Sequence, residues 1–533
     1  MKAIILGIDG GTFDLLTPLM EMGLMPNLKK LVAEGSHGIL RSTIMPITAP
    51  AWSSFATGCE PSKHGVYNFM QPEKTLNDIR AVSSRDIKAR TFYEIVHNSG
   101  KKAILINMPN TYPPKTDGIT ITSLLTQGEN CIFPEKLKEE YPELESYKIT
   151  ADSLLSMNND MKKYLKEVRE VEGRRFEIGK KLFRDKPWDV FLLHFIHSDT
   201  LQHGFFKQLR SGEADPDAYG LFSDIDSYIG WFIDNLPDDA VLMVISDHGF
   251  KPLYGFFRIN DWLIQKGWLK VREKKEIRKA GESHIEKTTR EAHTLRIPLA
   301  LSKIALRLRP LASPIYKRFS RYLRPTLAVE ADLENSIAYK PPPNSYCLYI
   351  NSTRYGGIVS EATYGKVVDE IVKELKELKD PVKEEHVFRN VWMREEVYGG
   401  PYAGEAPDIL MELNTRNMDY NIRMGEPFVE GDTNHHAMEG IFFAFGKGVE
   451  HGEVKDVNLV DVMPTILFVL DLPIPSGIDG KVIRSIFQHG SPLSSREPKH
   501  SQGGRHELDR RISALKKAKP GLAHGKEHNT HYD

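Results

Sequence analysis

AVLMVISDHG, residues 240–249, is the stretch from which the fold can be read. Six apolar residues run without interruption and then stop abruptly at Ser246-Asp247-His248-Gly249. A run this short, apolar on both faces, marks a strand buried in a largely parallel sheet. Adjacent side chains on a strand point to opposite faces, so Asp247 and His248 can reach one ion only where the strand ends. Gly249 is expected to supply the turn there. Carboxylate oxygen and imidazole nitrogen suit zinc or manganese. Alone, though, Asp-His-Gly is more often a helix-capping turn than a metal site.

The same pattern recurs on either side. Residues 3–8 stop at Asp9-Gly10-Gly11, residues 189–196 stop at His197-Ser198-Asp199, and residues 440–445 follow His435-His436. Amphipathic stretches over 161–182 and 362–378 lie between such runs, which predicts strand-helix alternation and an α/β fold. Open sheets of this class bind ligands at the carboxyl ends of their strands. Three of the runs carry Asp or His there.

Each cluster has a plain structural reading beside a chemical one. Asp199 and His203 are spaced i, i+4, so on a helix they share a face and can grip one ion; equally, Asp199 could cap that helix and His203 pack. His194 and His197 are nearby alternatives. Asp9 could be only a turn residue, and Gly7-x-Asp9-Gly10-Gly11 is not the GxGxxG of a dinucleotide loop. The His435-His436 pair is expected at a loop-strand junction. Residues 44–65 read IMPITAPAWSSFATGCEPSKHG, with Thr48 held between Pro46 and Pro50. A lone Thr there reads as a helix cap. Beside a dication its hydroxyl becomes a competent nucleophile. The conjunction of four Asp/His clusters and one constrained Thr at strand ends favours the chemical reading.

Bulk properties exclude several classes. The chain has 533 residues, 71 Lys plus Arg against 72 Asp plus Glu, and three widely separated cysteines. Balanced charge gives no argument for nucleic acid. Three scattered thiols exclude a cysteine zinc cluster and a disulfide framework and fit a reducing cytoplasm. No apolar run reaches the roughly 18 residues of a membrane span. Residues 266–330 break the strand rhythm, and between Leu301 and Thr326 there are seven basic residues and no acidic one. The expected organisation is a core over 1–265, a basic helical insertion or lid over 266–330, the rest of the core over 331–488, and a disordered polar tail over 489–533. Peripheral membrane contact through 301–324 is the non-enzymatic alternative, although Pro310, Pro314 and Pro325 interrupt that helix.

Taken together, Pro46-Ile47-Thr48-Ala49-Pro50…Thr57-Gly58…Pro61…His64-Gly65, Asp199-x3-His203, Asp247-His248-Gly249 and His436-x3-Gly440-Ile441-Phe442 resemble the type I phosphodiesterase/nucleotide pyrophosphatase branch of the alkaline phosphatase superfamily. The resemblance spans about residues 1–480. It implies an alkaline phosphatase-like fold: a central, mostly parallel sheet with helices on both faces and an inserted helical lid. It implies two divalent ions, zinc by family, with manganese suited to the same donors. Asp9, Thr48, Asp247 and His248 would hold one, and Asp199, His203 and His436 the other. The implied reaction is hydrolysis of a small-molecule phosphate ester through a phospho-threonine on Thr48. A phosphomutase or phosphotransferase of the same superfamily is the enzymatic alternative. The family's phosphate-binding Asn falls at Phe69 here, with Asn68 one residue early. A sulfatase needs a modified Cys or Ser in C/S-x-P-x-R; Cys59-Glu60-Pro61-Ser62-Lys63 resembles this loosely, and Cys59 lies past the nucleophile.

Overall fold

The apolar runs become neighbouring strands of one sheet. In the computed structural model, which describes residues 1–127, 130–153, 160–273, 329–342 and 346–501, a ten-stranded sheet has the order Gly452–Glu453, Ser36–Arg41, Glu439–Phe445, Ala240–Ile245, Lys2–Ile8, Val190–Phe195, Ala103–Met108, Ile119–Thr122, Ile132–Phe133, with Val457–Asn458 paired beside Ser36–Arg41. Pairing is parallel from Ala240–Ile245 through Ile119–Thr122. Glu439–Phe445 runs antiparallel to both of its neighbours.

Strand periodicity divides the core in two. Ile4, Leu6 and Ile8 of the first strand enter one apolar cluster, and Ala3 and Ile5 enter the other. Helices Phe13–Glu21, Pro26–Glu34, Met161–Asp185, His197–Ser211 and Pro216–Asp234 cover the first face. Helices Thr48–Thr57, Phe92–Asn98 and Val462–Val469 cover the second. The expected helix over 161–182 runs to Asp185, and the Asp160 carboxylate caps it by accepting from the Lys163 amide. Each fully buried Ile, Leu or Phe contributes about 1.5–3 kcal/mol, so two such layers can carry several buried charged groups at strand ends.

A smaller layer stands beside this sheet. Gly249–Arg258 leaves the large sheet and pairs with Phe428–Ala437 and Asn417–Asp419. Next to it lies an antiparallel sheet of Ala338–Tyr339, Cys347–Ile350, Ile409–Leu413 and Phe388–Met393, flanked by helix Glu361–Glu377 and sharing one apolar cluster. Residues 331–488, expected as the second part of one core, are thus divided between the two layers. The basic stretch 301–324 and most of the expected lid lie outside the described residues, as does the tail beyond residue 501. The first part of that tail, expected to be disordered, is ordered: His500–Ser501 pairs with Ile474–Pro475. Among the described residues no helix is long and apolar enough to cross a membrane.

Candidate metal centre

Three adjacent parallel strands deliver the acidic groups. Asp9 follows Lys2–Ile8, Asp247 and His248 follow Ala240–Ile245, and helix His197–Ser211 starts just after Val190–Phe195 with Asp199 in its first turn and His203 one turn on. Their carboxyl ends open at one edge, so the side chains converge without a long excursion. His436 arrives from the smaller layer, opposite Phe250 in the antiparallel pair. The His435-His436 pair therefore sits inside the ten-residue strand Phe428–Ala437, not at a loop-strand junction. The exposed residues Glu430, Gly431 and Asp432 hid that strand from a hydrophobicity reading.

Gly249 also differs from expectation. It opens a strand instead of making a left-handed turn, and a Cβ there would lie 2.0 Å from the Glu439 carbonyl oxygen. What it supplies is close approach of two backbones. The left-handed turn beside the site belongs to Gly10, at φ 66°.

Thr48 is the first residue of helix Thr48–Thr57. Ile47 is the cap, and the Thr48 hydroxyl makes no capping bond; it stands 3.4 Å from His248 Nε2. Trp52 of this helix lies against Gly7, where a Cβ would meet its ring at 2.7 Å, and edge-on to His194. The loop before Thr48 turns through Met45 at φ 64° and presents the Pro46 carbonyl to His436 Nδ1 at 2.8 Å. The same loop thus aims the hydroxyl and fixes an imidazole. With its Nδ1–H donated, His436 turns the Nε2 lone pair into the site.

Two donor groups result: Asp9, Asp247 and His248, and Asp199, His203 and His436, with the ligand atoms of each within 4.8 Å of one another. His436 Nε2 is 3.1 Å from Asp199 Oδ1 and 3.0 Å from His203 Nε2. His248 Nε2 is 3.3 Å from Asp247 Oδ2 and 3.6 Å from Asp9 Oδ1. The stacked rings of His248 and His436, 3.8 Å between centroids, join the groups. All seven residues expected at the site are therefore brought together.

The chemistry of the donors fits cations. Both Asp9 carboxylate oxygens, Asp199 Oδ1 and Asp247 Oδ2 are buried without a hydrogen-bond donor. A buried acceptor left unmade costs about 1–3 kcal/mol, more when charged, and four in one place ask for a positive partner. Burial, then the neighbouring Asp247 and Asp199, pushes the Asp9 carboxyl well up. Burial likewise pushes Asp247 up to about 6. Burial also favours the protonated form of Asp199, but His203 and His436 outweigh it and hold that carboxyl below its usual range. Burial lowers His248 and His203 from the usual imidazole range, towards the neutral form that ligates.

The alternative histidines have other work. His197 holds Glu172 through Nδ1 at 2.6 Å and accepts the Ala151 amide at Nε2, which removes it from the ion site. His194 donates from Nδ1 to the Asn107 carbonyl at 2.9 Å and stands behind Asp9, 3.0 Å from Oδ2. His435 accepts at Nδ1 from the His436 amide at 2.8 Å and from the Tyr346 hydroxyl. His64 is buried, bonded to Ser54 and to the Val66 amide, and Cys59 is buried with its thiol pushed up to about 11 by burial. Tyr346, Asn107 and the Pro46 carbonyl carried no sequence signal, since each acts through a fold-dependent contact.

The family model described as type I phosphodiesterase / nucleotide pyrophosphatase matches residues 3–426. The chain belongs to this family. It is accordingly a phosphoester hydrolase. No curated protein matches it. Among solved structures, phosphonoacetate hydrolase from Sinorhizobium meliloti 1021 in complex with phosphonoformate is similar at 17% identity and a TM-score of 0.52, covering 87% of this chain and 94% of that one. Murine ectonucleotide pyrophosphatase / phosphodiesterase 5 is similar at 14% identity and 0.51, covering 89% and 95%. An inactive threonine-to-alanine form of the murine protein, in complex with AMP, matches at 13% identity and 0.51, covering 89% and 95%. At these identities the likeness is one of fold.

Phe69 packs on the apolar cluster of Ala49, Val66, Val82 and Ile87. Asn68 is buried, and its Oδ1 accepts from the Phe69 amide at 2.8 Å, which turns Nδ2 outward from that contact.

Proposed function

We infer that the protein hydrolyses small-molecule phosphate esters with the help of two divalent ions, zinc by donor type and family, using Thr48 as nucleophile. The observation that carries this reading is the single cluster of Thr48 with two Asp/His groups, four of whose carboxylate oxygens lack protein donors. Asp9, Thr48, Asp247 and His248 would hold one ion, and Asp199, His203 and His436 the other. Three carboxylates and one ionised hydroxyl carry four negative charges, which two dications neutralise. When bound, the ions supply Lewis acidity that makes the Thr48 hydroxyl ionisable near neutral pH and neutralises charge on the phosphoryl oxygens.

The chain's own residues do the rest. The N-terminus of helix Thr48–Thr57 places its positive end beside the Thr48 oxygen and favours the ionised form. Thr48 Oγ1 attacks phosphorus, the Oγ1–P bond forms, and the bond to the leaving oxygen breaks, releasing an alcohol once protonated. Water then attacks the phospho-threonine, releasing the phosphate or monoester and restoring the hydroxyl. The Asn68 amide is the neutral donor for a non-bridging oxygen, Phe69 being committed to packing. The murine relative whose inactive form lacks a threonine and holds AMP supports both a threonine nucleophile and a phosphate-ester ligand.

The test is turnover of bis-p-nitrophenyl phosphate beside p-nitrophenyl phosphate, with zinc, with manganese and with chelator. Chelator-sensitive cleavage of the diester is expected. Thr48→Ala is expected to lower kcat at least a thousandfold, on the order of other nucleophile losses, while keeping most of its metal. Full activity of that variant would overturn the assignment; silence on both esters would direct attention to phosphoryl transfer onto an alcohol.

A further inference from the structure

His435 is adjacent in sequence to a candidate ligand and near it in space, yet its nitrogens are arranged differently. Its ring centroid lies 4.6 Å from that of His436 and 5.4 Å from that of His203. His436 gives its Nδ1–H to the Pro46 carbonyl and offers Nε2 as a lone pair. In His435 two donors converge on Nδ1: the His436 amide at 2.8 Å and the Tyr346 hydroxyl. An atom that accepts from two donors carries no proton itself, so in the neutral ring the proton sits on Nε2. The residue is 8% exposed. Among the described residues none accepts from that Nε2–H. Nε2 is not among the fully buried atoms that lack a partner, so this donor reaches solvent and is open to a ligand.

The two residues bonded to His435 Nδ1, Tyr346 and His436, border a cleft between the Thr48 loop and the smaller layer, lined also by Pro46, Lys251 and Trp392. Resting on the phosphate-ester reading above, we propose that His435 is a substrate-positioning residue: a neutral donor, locked as the Nε2–H tautomer by Tyr346 and the His436 amide, for an anionic oxygen on the Asp199–His203–His436 side of the centre. Its lone pair at Nδ1 is occupied and Nε2 has none, so it is not an ion ligand. Two consecutive histidines thus serve opposite purposes through opposite tautomers. The lock comes from Tyr346, 89 positions earlier in the chain, so the smaller layer helps set how the centre meets an oxyanion.

The experiment compares wild type with His435→Phe, His435→Gln and Tyr346→Phe by metal content, phosphate affinity, steady-state kinetics and nitrogen-15 NMR of the imidazoles. Wild type is expected to show the Nε2–H tautomer at His435, perturbed when inorganic phosphate binds. His435→Phe is expected to keep its ions and to bind phosphate about 10- to 100-fold more weakly, the range for one donor to a charged acceptor. His435→Gln, whose amide can stand near the Nε2 position, should recover part of this, and Tyr346→Phe, keeping the amide lock, should lose less. Loss of metal in His435→Phe would make His435 a ligand and overturn the proposal. Unchanged phosphate affinity with metal retained would reduce it to packing and overturn it equally. If wild type turned over no ester, the hydrolase reading would fall, while the tautomer and phosphate affinity would still decide the role of His435.

Discussion

Asp247 holds its proton up to about pH 6 in the ion-free protein because burial opposes its charge, and Asp9 is pushed up for the same reason and by Asp247 and Asp199. Ligation needs both carboxylates ionised, so protons compete with the ion. The sign follows: a raised carboxyl pKa means that affinity falls as pH drops below about 6, roughly tenfold per unit for each proton displaced. Burial lowers His248 and His203 as well, so those two rings lose their protons below the usual imidazole range. Zinc titration against a chromophoric chelator between pH 5 and 8 should show affinity falling as pH drops, with a break near 6 from Asp247. A flat profile would mean that the carboxylates are ionised without the ion. This cluster of carboxylates and imidazoles was legible in the sequence because Asp and His directly after apolar runs have few reasons to be there. The atoms that orient them were not: the Pro46 carbonyl, Asn107 and Tyr346 are ordinary residues until the fold brings them to a ring nitrogen.

At the level of elements, strands buried on both faces announced themselves as continuous apolar runs, and their carboxyl ends gave the site. The smaller layer did not, because its strands are short or mix exposed polar residues with buried ones, as Phe428–Ala437 does. Gly249 shows what such a reading misses. A glycine after Asp-His suggests a turn, yet the demand comes from Glu439, on a strand nearly two hundred positions later, whose carbonyl would lie 2.0 Å from an added Cβ. Gly249→Ala must therefore push apart Gly249–Arg258 and Glu439–Phe445, directly after two ligands. A destabilisation of about 1–3 kcal/mol is expected, together with weaker metal binding, whereas Gly404→Ala, with open space around its Cβ, should be nearly neutral. Denaturant midpoints and metal titrations of the pair check this; equal behaviour of the two would show that the strands yield freely.

For the whole molecule, the centre ties together parts that would otherwise meet only through packing. Asp9, Asp199, Asp247 and His248 belong to the large sheet and its helices, while His436 belongs to the strand pair that leads into the smaller layer. Ions bound only by the assembled site stabilise it by RT ln(1 + [L]/Kd), about 4 kcal/mol each at a thousandfold excess over Kd. Because His436 completes one donor group and stacks on His248 of the other, removing metal should loosen the junction as well as lower overall stability. Zinc is expected to raise the unfolding temperature by several degrees over the chelated protein and to slow amide exchange in Gly249–Arg258 and Phe428–Ala437 more than in the far strand Ile119–Thr122. His203→Ala, which strips one donor group only, should bind one ion in place of two and keep about half of the thermal gain. If it kept both ions and the full gain, the two groups would not be separate sites; if it lost both, His203 would be holding the centre together as a whole, and the division into two donor sets would have to be redrawn around the stacked pair of rings.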